Sequence, residues 1–146
     1  LYSSAASDVY KRQEEILWLK GQGFTRVVSL LTAPYNLHAY RELGLDYLQF
    51  PLFPDGDWRA NLAGLYRLLH GLLRDQEKVV VHAEAVDDYL VGLCGGFLYW
   101  ASLIETGPAV IAAVEKATKR QLGPEGREIV AYVIAGGCQR GGDQAG

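Results

Sequence analysis

Hydrophobic and polar positions along the chain alternate between two periods, short runs suited to strands and longer stripes suited to helices. Residues 14–20 predict a short helix with Ile16, Leu17 and Leu19 on its apolar face, stopped by Gly21 and Gly23. Residues 25–31 are rich in β-branched and leucine side chains, lie between glycine and proline, and predict a strand. A short helix over 36–43 and a second strand over 45–50 follow, with Gly44 between them. From 59 to 74 the period is helical: Leu62, Leu65, Leu69 and Leu72 form one stripe, widened by Tyr66, Leu68 and Leu73. Residues 78–82 form an almost continuous apolar run of the kind buried on both faces of a parallel sheet. Three further helices are predicted over 88–104, from Pro108 to about 120, and over 125–135. This alternation predicts an α/β fold with a mainly parallel central sheet flanked by helices, one domain spanning residues 14–135.

Composition narrows the function classes. The 146 residues are 49% hydrophobic and 21% charged, enough for a packed core and unlike a disordered chain or a coiled coil. A net charge of −3 gives no electrostatic support for a nucleic-acid or anionic-membrane partner. The longest uncharged apolar run, 89–104, holds three glycines and falls short of the roughly 20 residues a spanning helix needs, so a buried core helix is expected. Two cysteines are too few for a disulfide scaffold and fit a reducing, cytoplasmic setting. No secretory signal is visible, and the lack of methionine suggests a fragment or a processed chain. Residues 1–13 resemble translated library-adapter sequence found at the ends of environmental, metagenomic gene fragments, and are expected to be an artefactual or disordered tail. Residues 136–146, which include Cys138, read as a frayed end.

In open α/β sheets chemistry gathers beyond the carboxyl ends of strands. Two such places stand out: residues 50–58, which contain Phe53, Pro54, Asp55, Gly56, Asp57 and Trp58, and residues 82–89, which run His82, Ala83, Glu84, Ala85, Val86, Asp87, Asp88, Tyr89. The order of elements over about 120 residues, with Asp55 lying 28 positions before position 83, resembles the cysteine-dependent dual-specificity and protein-tyrosine phosphatases of compact microbial type. That family's motif runs His-Cys, five residues, Arg, then a hydroxyl residue. The resemblance implies a thiolate that attacks phosphorus, backbone N–H groups and an arginine that hold the oxyanion, and an aspartate that protonates the leaving oxygen.

Carried over position by position, the frame remains and the centre is gone. His82 matches the leading histidine, but Ala83 stands at the cysteine position and Tyr89 at the arginine position. Val86 takes the place of a loop glycine, and Leu90 that of the hydroxyl residue. Asp55 matches the general acid, with Asp57 as a fallback. Alanine has no lone pair with which to form a phosphoenzyme, and tyrosine offers one hydroxyl where a charged five-donor fork is needed. Glu84, Asp87 and Asp88 add negative charge where a dianion would sit; a like-charge pair at about 5 Å and an effective dielectric near 20 repels by roughly 3 kcal/mol. The catalytic set is therefore expected to be vestigial (His82, Ala83, Tyr89, Asp55), and the candidate binding residues are Glu84, Asp87, Asp88, Asp57 and Trp58.

The expected function is a catalytically inactive, pseudophosphatase-like domain with a degenerate phosphate-binding loop, no cofactor, no bound metal, and a protein or small-molecule partner. Two alternatives stay open. One is a phosphatase whose loop has been mutated or engineered. The other is a metal-dependent hydrolase using the acidic loop with His82, although no spacing here is diagnostic of a metal. One of Asp87 and Asp88 is also suited to capping the helix that follows. Cys94 is expected to be an interior thiol, Cys138 to be idle, and Ser29 to be a strand residue with no base near it in sequence.

Overall fold

The computed structural model describes residues 2–5, 9–32, 38–52 and 56–138. In chain order these form β1 (Tyr2–Ala5), α1 (Val9–Gly21), β2 (Arg26–Ser29), α2 (His38–Glu42), β3 (Asp46–Gln49), α3 (Trp58–Arg74), β4 (Val79–Ala83), α4 (Asp88–Trp100), α5 (Gly107–Thr118) and α6 (Pro124–Ile134). The α/β class follows the prediction. The chain gathers into two compact units: Leu1–Gly56 with Leu68–Ala85, and Asp57–Arg67 with Val86–Gly146.

The first unit holds a four-stranded sheet in the order β1-β4-β2-β3, with every pairing parallel. Ile16 and Leu19 of α1, Phe24, Val27, Tyr40, Leu45 and Val80 form its core. Left-handed Gly23 (φ +87) and Gly44 (φ +84) turn the chain directly ahead of β2 and β3, a conformation that costs a side-chain-bearing residue more. The starts of β2 and β4 are pinned together: Thr25 N donates to Lys78 O at 2.9 Å, and Lys78 N donates to Thr25 Oγ1 at 3.1 Å.

The helix predicted from residue 14 begins earlier. Residues 2–5 pair with β4 from Tyr2 opposite Val80 to Ala5 opposite Ala83, and α1 begins at Val9 rather than at residue 14. Strand addition uses backbone N–H and C=O groups, which any residue type carries, so a small polar segment joins an open edge without an apolar pattern to announce it.

The second unit is helical. Val91, Val110, Val114, Leu122 and Val130 form a core cluster among α4, α5 and α6. Tyr66 Oη donates to Leu93 O at 2.6 Å, and its ring meets Phe97 and Trp100. Thr106 caps α5 by accepting from Ala109 N at 3.3 Å. α4 stops at Trp100, earlier than the predicted 104, because Leu103 N and Ile104 N both turn back to Leu98 O while Ser102 adopts φ +60. No helix among the described residues is long and apolar enough to cross a membrane.

Two backbones approach closely in this unit. A Cβ on Gly92 would stand 2.5 Å from Gly126 Cα, so α4 and the first turn of α6 touch main chain to main chain. Gly92→Ala is therefore expected to destabilise the protein by about 1–3 kcal/mol in urea unfolding, whereas Gly71→Ala, which meets nothing within 4 Å, should leave it as stable or more so.

Candidate functional site

The carboxyl end of β4 is built by burial. His82 is wholly buried, its carbonyl accepts from Leu30 N at 2.7 Å, and its ring stands edge-on to Tyr40 at 5.9 Å between centroids. The sheet register sets Ser29 beside His82, and Ser29 is also wholly buried, its Oγ accepting from Leu31 N at 3.3 Å. Nothing in the sequence signals that neighbourhood, since strand order is set by long-range packing. With both side chains sealed from solvent, the two act as core groups. Ala83 ends the strand half-buried, and Glu84 and Ala85 continue it exposed.

In the second unit the carboxylates at the start of α4 have internal partners. Asp87 is the N-cap, and its side chain accepts from Leu90 N at 2.9 Å. Asp88 reaches across to α6 and accepts from Gly123 N at 2.6 Å and Gly126 N at 2.8 Å. Gly123 caps α6 without a side chain of its own, and Asp88 supplies that cap from a neighbouring helix. The capping role expected of one acidic residue thus falls to both, Asp87 at α4 and Asp88 at α6.

Tyr89 is buried at 9% exposure, and its Oη has no hydrogen-bond partner among the described residues. Burial, aided by the Asp87 carboxylate, pushes the phenol from its ordinary 10.0 up to about 12, so it stays neutral and can only offer a hydroxyl. In the other acidic segment, Asp55 lies outside the described residues, as does Phe53. Asp57 is exposed at the start of α3, with Ala60 N directed to its Oδ1 at 3.4 Å. Trp58, the last of the candidate binding residues, is buried. Its ring meets Tyr132 edge-on at 5.4 Å, and the Arg59 guanidinium, ion-paired with Glu128, lies 4.3 Å over it.

Cys94 sits half-buried in α4, and burial pushes its thiol up to about 11. Cys138 does not fray. It is buried, and burial, opposed by Arg67, takes its thiol to about 11. Neither is a thiolate at neutral pH, which removes both as ready nucleophiles. Among the described residues no three His, Cys, Asp or Glu side chains gather into a group that could hold a metal ion.

The architecture is that of the dual-specificity and protein-tyrosine phosphatases. The chain matches Tk-PTP in its active form at a TM-score of 0.70 and 16% identity, covering 91% of this chain and 90% of that one. It matches kinase associated phosphatase, solved with its catalytic cysteine replaced by serine, at 0.75 and 13%, covering 92% and 85%. It matches TpbA of P. aeruginosa at 0.67 and 16%, covering 92% and 80%. No protein-family profile matches the chain, and no curated protein resembles it in sequence. At these identities the likeness defines the fold.

Two outcomes follow from this geometry. Asp88→Ala strips two backbone N–H groups of a charged acceptor and is expected to cost about 2–4 kcal/mol in urea unfolding, with Asp88→Asn intermediate. Tyr89→Phe removes a buried hydroxyl that has no partner and should be neutral or stabilising by up to about 1 kcal/mol. The same variant tests the titration. A phenol whose folded pKa is raised holds its proton after the unfolded chain has lost its own, so the Tyr89 contribution is constant below pH 10 and is lost as pH rises from 10 towards 12. Melting temperatures measured across that window should fall less steeply in Tyr89→Phe than in the parent protein.

Proposed function

We propose that this chain is a catalytically inactive phosphatase-fold domain, a pseudophosphatase, that works by binding. The observation that carries the reading is the Asp87 carboxylate on Leu90 N. A helix N-terminus in this fold is where an oxyanion would be met by backbone N–H groups. Here an internal anion already takes one of them, and it repels a second anion. Two residue identities support the same reading. Ala83 ends β4 with a methyl group where the family motif carries its nucleophile, and Tyr89, neutral and buried, stands where the motif carries a guanidinium. Asp55 and Asp57 could donate a proton, but without a nucleophile no leaving group forms for it. The partner is a protein surface or a small neutral or cationic ligand that accepts the exposed carboxylate of Glu84, and the free thiols Cys94 and Cys138 suit a cytoplasmic setting.

The test is hydrolysis of an aryl phosphate with and without added divalent cation, alongside calorimetric titration with tungstate. The expected result is no turnover in either condition and no tungstate binding. Ala83→Cys alone should remain at background, because a thiolate without an oxyanion clamp has nothing to stabilise the transition state. The triple change Ala83→Cys, Val86→Gly, Tyr89→Arg is the variant in which tungstate affinity should first appear. Turnover by the parent chain, or by Ala83→Cys alone, would overturn the reading; turnover only with metal would favour a hydrolase built on the acidic loop.

A further inference from the structure

The C-terminal end of α4 carries a concave feature of its own, about 18 Å along the helix axis from Asp88. A cavity of about 350 Å³ opens there within the helical unit, lined in part by Tyr99, Trp100, Ile104, Glu105, Val133 and Cys138. That volume suits a small organic molecule. Its wall is held by backbone bonds: Ala101 N donates to Phe97 O at 2.8 Å and Leu103 N to Leu98 O at 2.9 Å, while Ser102 turns the chain with φ +60. A turn fixed in this way needs little ordering when a ligand arrives.

The chemistry of the lining selects the ligand. Among the described residues Glu105 is the charged residue that lines it, and it is exposed. The Cys138 thiol, pushed up to about 11 by burial, adds no negative charge at neutral pH. Tyr99 and Trp100 contribute aromatic surface, which attracts cations, and Ile104 and Val133 contribute aliphatic wall. Next to these liners in sequence, Leu103 stands out into solvent at 62% exposure.

We propose that this cavity binds a small amphipathic organic cation, a primary ammonium on an aromatic or short alkyl body. The ammonium pairs with the Glu105 carboxylate beside the aromatic rings, and the body lies against Ile104 and Val133. The site is independent of the loop after β4 and of what that loop does.

The experiment is a ¹H–¹⁵N NMR titration of the full chain with 2-phenylethylammonium, with neutral 2-phenylethanol and anionic 3-phenylpropanoate as matched controls. The amine is expected to bind with a Kd on the order of 1 mM, moving the Trp100 indole N–H and the amides of 102–105, with the alcohol weaker and the acid weakest. Glu105→Gln, at an exposed turn position that should leave melting unchanged, is expected to weaken the amine about fourfold and leave the alcohol unaffected. Equal binding of amine and acid, indifference of the amine to Glu105→Gln, shifts confined to other parts of the chain, or no shifts at millimolar amine would each overturn the proposal.

Discussion

A single carboxylate, that of Asp88, decides how the helical unit begins. It accepts two backbone N–H groups from the first turn of α6, at 2.6 and 2.8 Å, and so holds that turn against the first turns of α4. Gly92 and Gly126 permit the backbones to close up behind it. Neither part would suffice alone. Without the carboxylate, α6 would begin at a glycine with no side-chain cap; without the two glycines, the carboxylate could not come within hydrogen-bonding range. The start of α4 is consequently a structural joint within the helical unit.

The acidic pair also settles where the helix-terminal N–H groups go. The first N–H groups of a helix have no partner within the helix itself. In this chain Asp87 takes the Leu90 N–H of α4, and Asp88 takes those of Gly123 and Gly126 at the start of α6. The buried phenol of Tyr89 adds a neutral hydroxyl to the same segment. The likeness to solved phosphatases is a likeness of fold, and a fold alone does not fix what the segment after β4 binds.

Much of the fold is legible in the sequence because its strongest elements obey one period each. The leucine stripe from Leu62 to Leu72 marks α3 to within one residue at its start, and the valine run marks β4 to within one residue at each end. Local punctuation is equally legible, as with Pro108 in the first turn of α5. What sequence does not carry is anything fixed by distant partners. The pairing of β1 with β4 needs no side-chain pattern. The early end of α4 depends on a return of two amides to Leu98 O. Asp88 reads as a loop acid until the chain brings Gly123 and Gly126 to it, and Ser29 lies far from His82 until the sheet order is known. Trp58 follows a polar segment, which suggests exposure, yet Tyr132 and Arg59 enclose it from α6 and from its own helix.

The outer strand has a consequence for how such chains behave in each other's company. β1 pairs with β4 along four residues, beside a strand whose side chains at 79–82 are buried. An unpaired edge of such a strand presents a row of polar N–H and C=O groups, the situation from which strand swapping and fibrous association begin. Pairing of this kind is made by groups every residue carries, so covering that edge of β4 asks for no particular side-chain pattern.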